Sequence, residues 1–186
     1  MEYLGRLALG TFVPMLKSLS AILVRGAEHA GSRHRDVAEF VNTRLAPDMY
    51  TMGHQVRLAC RFACEGVAYP RGAQPITFDR TGQSFEELQA QISRTLGHLE
   101  ALDPVSFEGA GERAFEVPLA EGVVLAVNGF EFLRDWAIPH FYFHVVTTYD
   151  ILRHNGVQIG KMDYLAHVGR YVRPRASTAP VDRSLK

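Results

Sequence analysis

Apolar residues recur at three- and four-residue steps along most of the chain, the spacing that lines one face of an α-helix. Over 3–26 they fall at Leu4, Leu7, Ala8, Phe12, Met15, Leu16, Leu19 and Leu23, which predicts a first long helix. Pro14 lies inside it and predicts a kink or break, because proline lacks the N–H and crowds the carbonyl four residues back. Gly31 and Ser32 separate this helix from a short one over 36–45. A second long helix is predicted over 49–67 with Asp48 as its N-cap. Its apolar residues lie on most sides, so it belongs between other helices. A loop with Pro70, Gly72 and Pro75 fills 69–81, with Gly82 at its edge. Ser84-Phe85-Glu86-Glu87 then reads as a capping box, opening a third long helix that runs to Leu102 and turns Phe85, Leu88, Ile92, Leu96 and Leu99 inward.

Over 113–127 the period shifts toward two, with Phe115, Val117 and Leu119 on one side of Glu121-Gly122 and 123–127 on the other, predicting a β-hairpin. A hairpin is not stable alone, so it is an insertion supported by helices. A short helical approach over 129–136 leads to Pro139, suited to the first turn of the last long helix, 139–155. That helix ends at Arg153-His154-Asn155-Gly156, cationic residues over the last carbonyls and then a C′ glycine. The chain is therefore expected to be mainly α: an antiparallel four-helix bundle with a short β-hairpin insertion near residues 113–127. One domain should span 1–171, and 172–186, with two prolines and few apolar residues, should be a flexible tail.

Composition narrows the function. With 186 residues, 47% hydrophobic and 22% charged, the chain can bury a core without staples. Lys plus Arg and Asp plus Glu both number 20, so no net field points to nucleic acid or to an anionic membrane as a partner. Arg6, Pro14 and Lys17 interrupt the apolar N-terminal stretch, which reads as a buried helix rather than an export signal or a span. The two cysteines, Cys60 and Cys64, sit one helical turn apart among small or apolar neighbours. They read as core thiols of a cytoplasmic protein.

One spacing carries chemistry. His140 and His144 lie four apart on the last helix, so both imidazoles share a face and can reach one ion. Imidazole suits zinc, nickel, copper or iron, and a third ligand must come from another helix. The same pair equally suits two histidines held by core hydrogen bonds. His54, after Gly53 on the second long helix, is the third candidate. It also falls in line with Arg57, Arg61 and Glu65, a stripe that reads as a solvent-facing surface. Tyr149 and Asp150 are candidate partners behind the pair, while His29, His34, His98, His154 and His167 have ordinary polar or terminal settings. Neither a phosphate loop, nor G-x-S-x-G, nor C-x-x-C occurs, so neither a nucleotide site nor a nucleophile–base pair can be nominated.

Residues 139–157, beginning Pro-His-Phe-Tyr-Phe-His, with Gly160-Lys161-Met162-Asp163-Tyr164-Leu165 and Leu45-Ala46-Pro47-Asp48-Met49-Tyr50, closely resemble the bacterial family DUF1993. That family resembles a branch of the DinB/YfiT-like helical bundles, which include metal-dependent enzymes and dimers. The resemblance implies a divalent transition metal, zinc or nickel, held by His54, His140 and His144. It implies a homodimer acting on a small molecule by thiol transfer or hydrolysis. In the closer family it implies Arg at the position of His54 and Asn at that of His140, leaving His144 as the typical member. The alternative reading is a metal-free small-molecule-binding domain, or a dimeric interaction domain, without catalysis.

Overall fold

The structure, a computed structural model, describes residues 3–32, 37–78 and 84–174. Asp36, His34, Gly82 and the 175–186 part of the expected tail lie outside the described residues.

Helix α1 (Tyr3–Ser32) continues through Pro14, so the break expected there does not occur. The carbonyl that Pro14 crowds belongs to Gly10, which is exposed and has open space beside it, so local adjustment and hydration absorb the lost bond. Gly31 and Ser32 belong to the end of α1 rather than to a separating loop. Among the described residues α1 is the one helix long and apolar enough to cross a membrane. Its apolar stripe is core instead: Leu4, Ala8, Phe12, Leu16, Leu19 and Leu23 are at most 5% exposed.

After the short α2 (Val37–Val41), α3 (Met52–Ala68) starts later than expected, capped by Thr51 rather than Asp48. The Met52 amide donates to the Thr43 carbonyl at 2.8 Å, and Arg44 donates to the carbonyls of Pro47 and Met49. These bonds hold the chain outside the helix up to Thr51, whose hydroxyl then accepts from the His54 amide. Helix α4 (Phe85–Glu100) begins at Ser84, whose hydroxyl accepts from the Glu87 amide as expected.

The hairpin is present as β1 (Ala114–Ala120) and β2 (Val123–Asn128), antiparallel, with Phe115 opposite Val127 and Val117 opposite Leu125. Gly122 takes φ +69° in its turn, a left-handed conformation that glycine adopts without steric cost. Phe115, Val117, Leu125 and Val127 lean on the core, and Phe115 touches the rings of Tyr69 and Phe132.

Beyond the hairpin the chain enters one continuous helical run. Asn128 caps α5 (Gly129–Glu131) with a reciprocal capping box to Glu131. A wider π turn over Phe132–Ala137 leads directly into α6 (Ile138–His154). The sequence reading separated these pieces at Pro139. Proline cannot donate to the carbonyl four residues back, and here the preceding amide, Ile138, reaches five residues back to Leu133. The wider turn accommodates the proline without ending the helix. Gly156, at φ +90°, stops α6 as expected. The short α7 (Lys161–Tyr164) follows, its preceding Gly160 amide held by the Asp163 carboxylate.

The molecule is mainly helical with one two-stranded antiparallel sheet. Helix α3 packs most extensively on α6, and α1 on α4. Phe12 of α1 meets Phe141 of α6 edge-on, 4.9 Å between ring centres. Cys60 and Cys64 are unpaired and buried, and burial pushes both thiols up to about 12, so they are protonated core groups.

Candidate functional site

His140 and His144 face α3 across the contact that dominates the fold. Phe62 of α3 stacks on both imidazoles, at 4.4 Å from His140 and 5.5 Å from His144, with interplanar angles of 17° and 13°. The two imidazole centres are 6.3 Å apart, as one helical turn requires. Trp136, on the π turn, packs against His140 at 4.5 Å. The widened turn therefore sets the aromatic wall of the site.

His144 is buried, and its protonation follows from its partners. Gln55 donates its amide Nε2 to the Tyr50 carbonyl, which can only accept. The Gln55 Oε1 is thereby turned toward His144 Nδ1, at 2.6 Å, and must accept from it. His144 thus carries its proton on Nδ1, and its Nε2 keeps a lone pair. Burial first, then the charges of His140 and His54, bring the pKa of His144 down to about 4. Burial also lowers that of His140, with Arg61 lowering it further and Glu65 opposing. Both rings are neutral at pH 7.

This has a measurable consequence. The folded pKa of His144 lies below its usual 6.5, so between those values the unfolded chain binds more protons. The stabilisation is complete above pH 6.5 and is lost as pH falls toward 4. The loss from this group is on the order of 3 kcal/mol at most. Urea midpoints at pH 7.5 and 4.5 should differ less for His144→Gln than for the unaltered chain; an identical difference contradicts the assignment.

His54 is placed differently. Its ring stacks on Tyr50 at 4.1 Å, and Arg57 Nη2 lies 3.2 Å from its Nδ1. A guanidinium only donates, so Nδ1 accepts and the ring proton sits on Nε2. His54 is half-buried in a pocket of about 660 Å³ with Arg57, Arg61, Glu65, Phe78 and Gln91. His140 and His144 line an adjoining pocket of about 690 Å³ with Tyr50, Phe62, Trp136 and Phe143. Leu58 and Arg61 line both. The stripe expected to face solvent lines a pocket: the Arg61 side chain is 63% exposed as expected, while the last member, Glu65, is buried with its carboxylate accepting from Arg61 Nε at 2.6 Å.

The histidine pair is brought together, and His54 acts on it electrostatically from the neighbouring pocket. Among the described residues no three His, Cys, Asp or Glu side chains form a set that could hold a metal ion. His140 and His144 offer two imidazole donors on one face, but His54 stands in the neighbouring pocket on Arg57, so the three are not assembled as a ligand set in this arrangement. Tyr149 packs on Tyr164 and Asp150 is exposed, so the group behind His144 is Gln55 rather than either of them. Gln55 was not singled out in the sequence; its signal is a polar side chain on the buried face of α3, seven residues before Phe62.

The chain matches DUF1993, a domain of unknown function, over residues 5–165, and belongs to that family. It is similar to a solved structure of a DinB family member protein from Shewanella denitrificans, at 34% identity and a TM-score of 0.81, covering 96% of each chain. No curated protein matches the chain.

Proposed function

We propose that the chain is a metal-dependent enzyme of the DinB-like type. In this reading a divalent transition ion, zinc or nickel, is held by His140 and His144 and completed by His54. The observation that carries the reading is His144. Its Nδ1–H is held by Gln55, the outer partner that orients an imidazole ligand, and its Nε2 lone pair has no hydrogen-bond partner among the described residues. The solved DinB family structure, alike over 96% of each chain, supports the DinB-like fold on which the reading rests. An ion there would leave coordination positions open for water or a thiolate and would supply Lewis acidity, which serves hydrolysis or thiol transfer. We extend the proposal to the architecture: α1, α3, α4 and α6 form an antiparallel four-helix bundle, one domain over 1–171, in a cytoplasmic homodimer.

A second reading has its own observation. The Arg57 contact that occupies His54 Nδ1 favours a metal-free pocket that binds a small molecule. Metal content separates the two. The chain purified without a metal-affinity tag should retain about one equivalent of zinc or nickel. The double variant His140→Ala, His144→Ala should retain none. Trace metal that the double variant leaves unchanged favours the metal-free pocket.

A further inference from the structure

We propose that the two adjoining pockets form one groove for a small molecule that joins a flat apolar group to a carboxylate, with Arg61 reading the carboxylate. This goes beyond the metal reading and does not rest on it.

The apolar half is the pocket of about 690 Å³, where Tyr50, Phe62, Trp136 and Phe143 surround two neutral imidazoles. Tyr50 and Phe143 are both 56% exposed, aromatic surface that a flat ligand would cover. The polar half is carried by Arg61, which lines both pockets at their junction. Glu65 is 6% exposed and accepts from Arg61 Nε at 2.6 Å, while the guanidinium carbon lies 5.8 Å from the Phe62 ring centre. Those two contacts anchor the guanidinium by its Nε, while the side chain as a whole is 63% exposed to the groove. They leave its two terminal nitrogens without a hydrogen-bond acceptor among the described residues. Two parallel N–H donors match a carboxylate in bidentate geometry.

The carboxylates around the groove are engaged, Glu65 on Arg61 and Asp135 on Arg134, which disfavours a cationic ligand. Gln91 is a second, independent pointer. It is 7% exposed, lines the polar half, and its amide makes no hydrogen bond with any described residue. Its amide atoms stay open to the groove, where a polar ligand atom can pair with them. Leu58, which lines both pockets beside Arg61, gives the junction an apolar wall that a hydrocarbon linker would contact.

Trp136 is the only tryptophan, so its fluorescence reports on this groove alone. Chelator-treated protein would be titrated with 3-phenylpropanoate, its amide and the corresponding amine. The acid should bind about tenfold or more tighter than the amide, the amine weakest. Arg61→Met should bring the acid to the level of the amide while leaving amide affinity unchanged. Because that variant leaves Glu65 buried without its partner, the double variant Arg61→Met, Glu65→Gln is measured beside it and should behave alike. Equal binding of acid and amide, tighter binding of the amine, an acid preference that survives both variants, or no saturable binding of the acid overturns the proposal. Metal content is not read in this experiment, so its failure is distinct from failure of the metal-site reading.

Discussion

A single added methyl at Gly129 is expected to destabilise the protein more than most changes on its surface. A Cβ there would stand 1.9 Å from the Ala110 carbonyl oxygen and 2.9 Å from Pro70 Cβ. The obstacle is backbone, which cannot swing aside as a side chain can. It is also pinned on both sides, because the Gly129 amide donates to the Arg113 carbonyl and the Phe130 amide to that of Gly111, each at 3.0 Å. Relieving the clash means moving the 110–113 segment and weakening both bonds where the hairpin joins the helical run toward α6. Overpacking together with the lost bonds costs about 3 kcal/mol. For a chain of this size that lowers Tm by roughly 10 °C. Gly10→Ala is the control: it adds the same methyl on the open face of α1, with nothing within 4 Å, and should raise stability by about 0.5–1 kcal/mol. A Tm change below about 2 °C for Gly129→Ala would contradict the packing described here.

The second large effect is expected at Gln55, a residue that holds no ion itself. Gln55→Leu keeps much of the volume but removes the acceptor for His144 Nδ1–H, now a donor in a site that is 5% exposed. An unsatisfied buried donor costs about 1–3 kcal/mol. The ring also loses what fixes its tautomer, and outer partners of imidazole ligands typically contribute about 10–100-fold to metal affinity. Competition with a coloured chelator should show that loss in Gln55→Leu, whereas Gln55→Glu, which keeps an acceptor, should retain most of the affinity. Equal affinity in Gln55→Leu and the unaltered chain would remove Gln55 from the site.

The fold was legible where local chemistry decides it. Ser84 and Gly156 mark helix ends because a cap hydroxyl and a left-handed glycine act on their own neighbours. The hairpin showed through its changed period and Glu121-Gly122. Features set by distant partners were not legible. Thr51 rather than Asp48 caps α3 because Met52 is bonded to Thr43, and no short-range rule contains that contact. Pro14 looked like a helix breaker, yet it lies in a helix with open space beside its i−4 position, and Pro139 sits in the first turn of its helix as expected but after a π turn rather than a gap. In the site, the spacing of His140 and His144 follows from helical geometry. The orientation of His54 does not: it is set by a ring stacked on Tyr50 and a guanidinium from Arg57, which side-chain periodicity cannot specify.

The central claim is that His54 leaves Arg57 and joins the pair on α6 when the ion binds. X-ray absorption of the zinc-loaded protein tests it most directly, since it counts imidazole nitrogens at about 2.0–2.1 Å from the metal. The account predicts three imidazoles in the unaltered chain and two in His54→Ala. The same count in both, or no stoichiometric zinc in the unaltered chain, would contradict it.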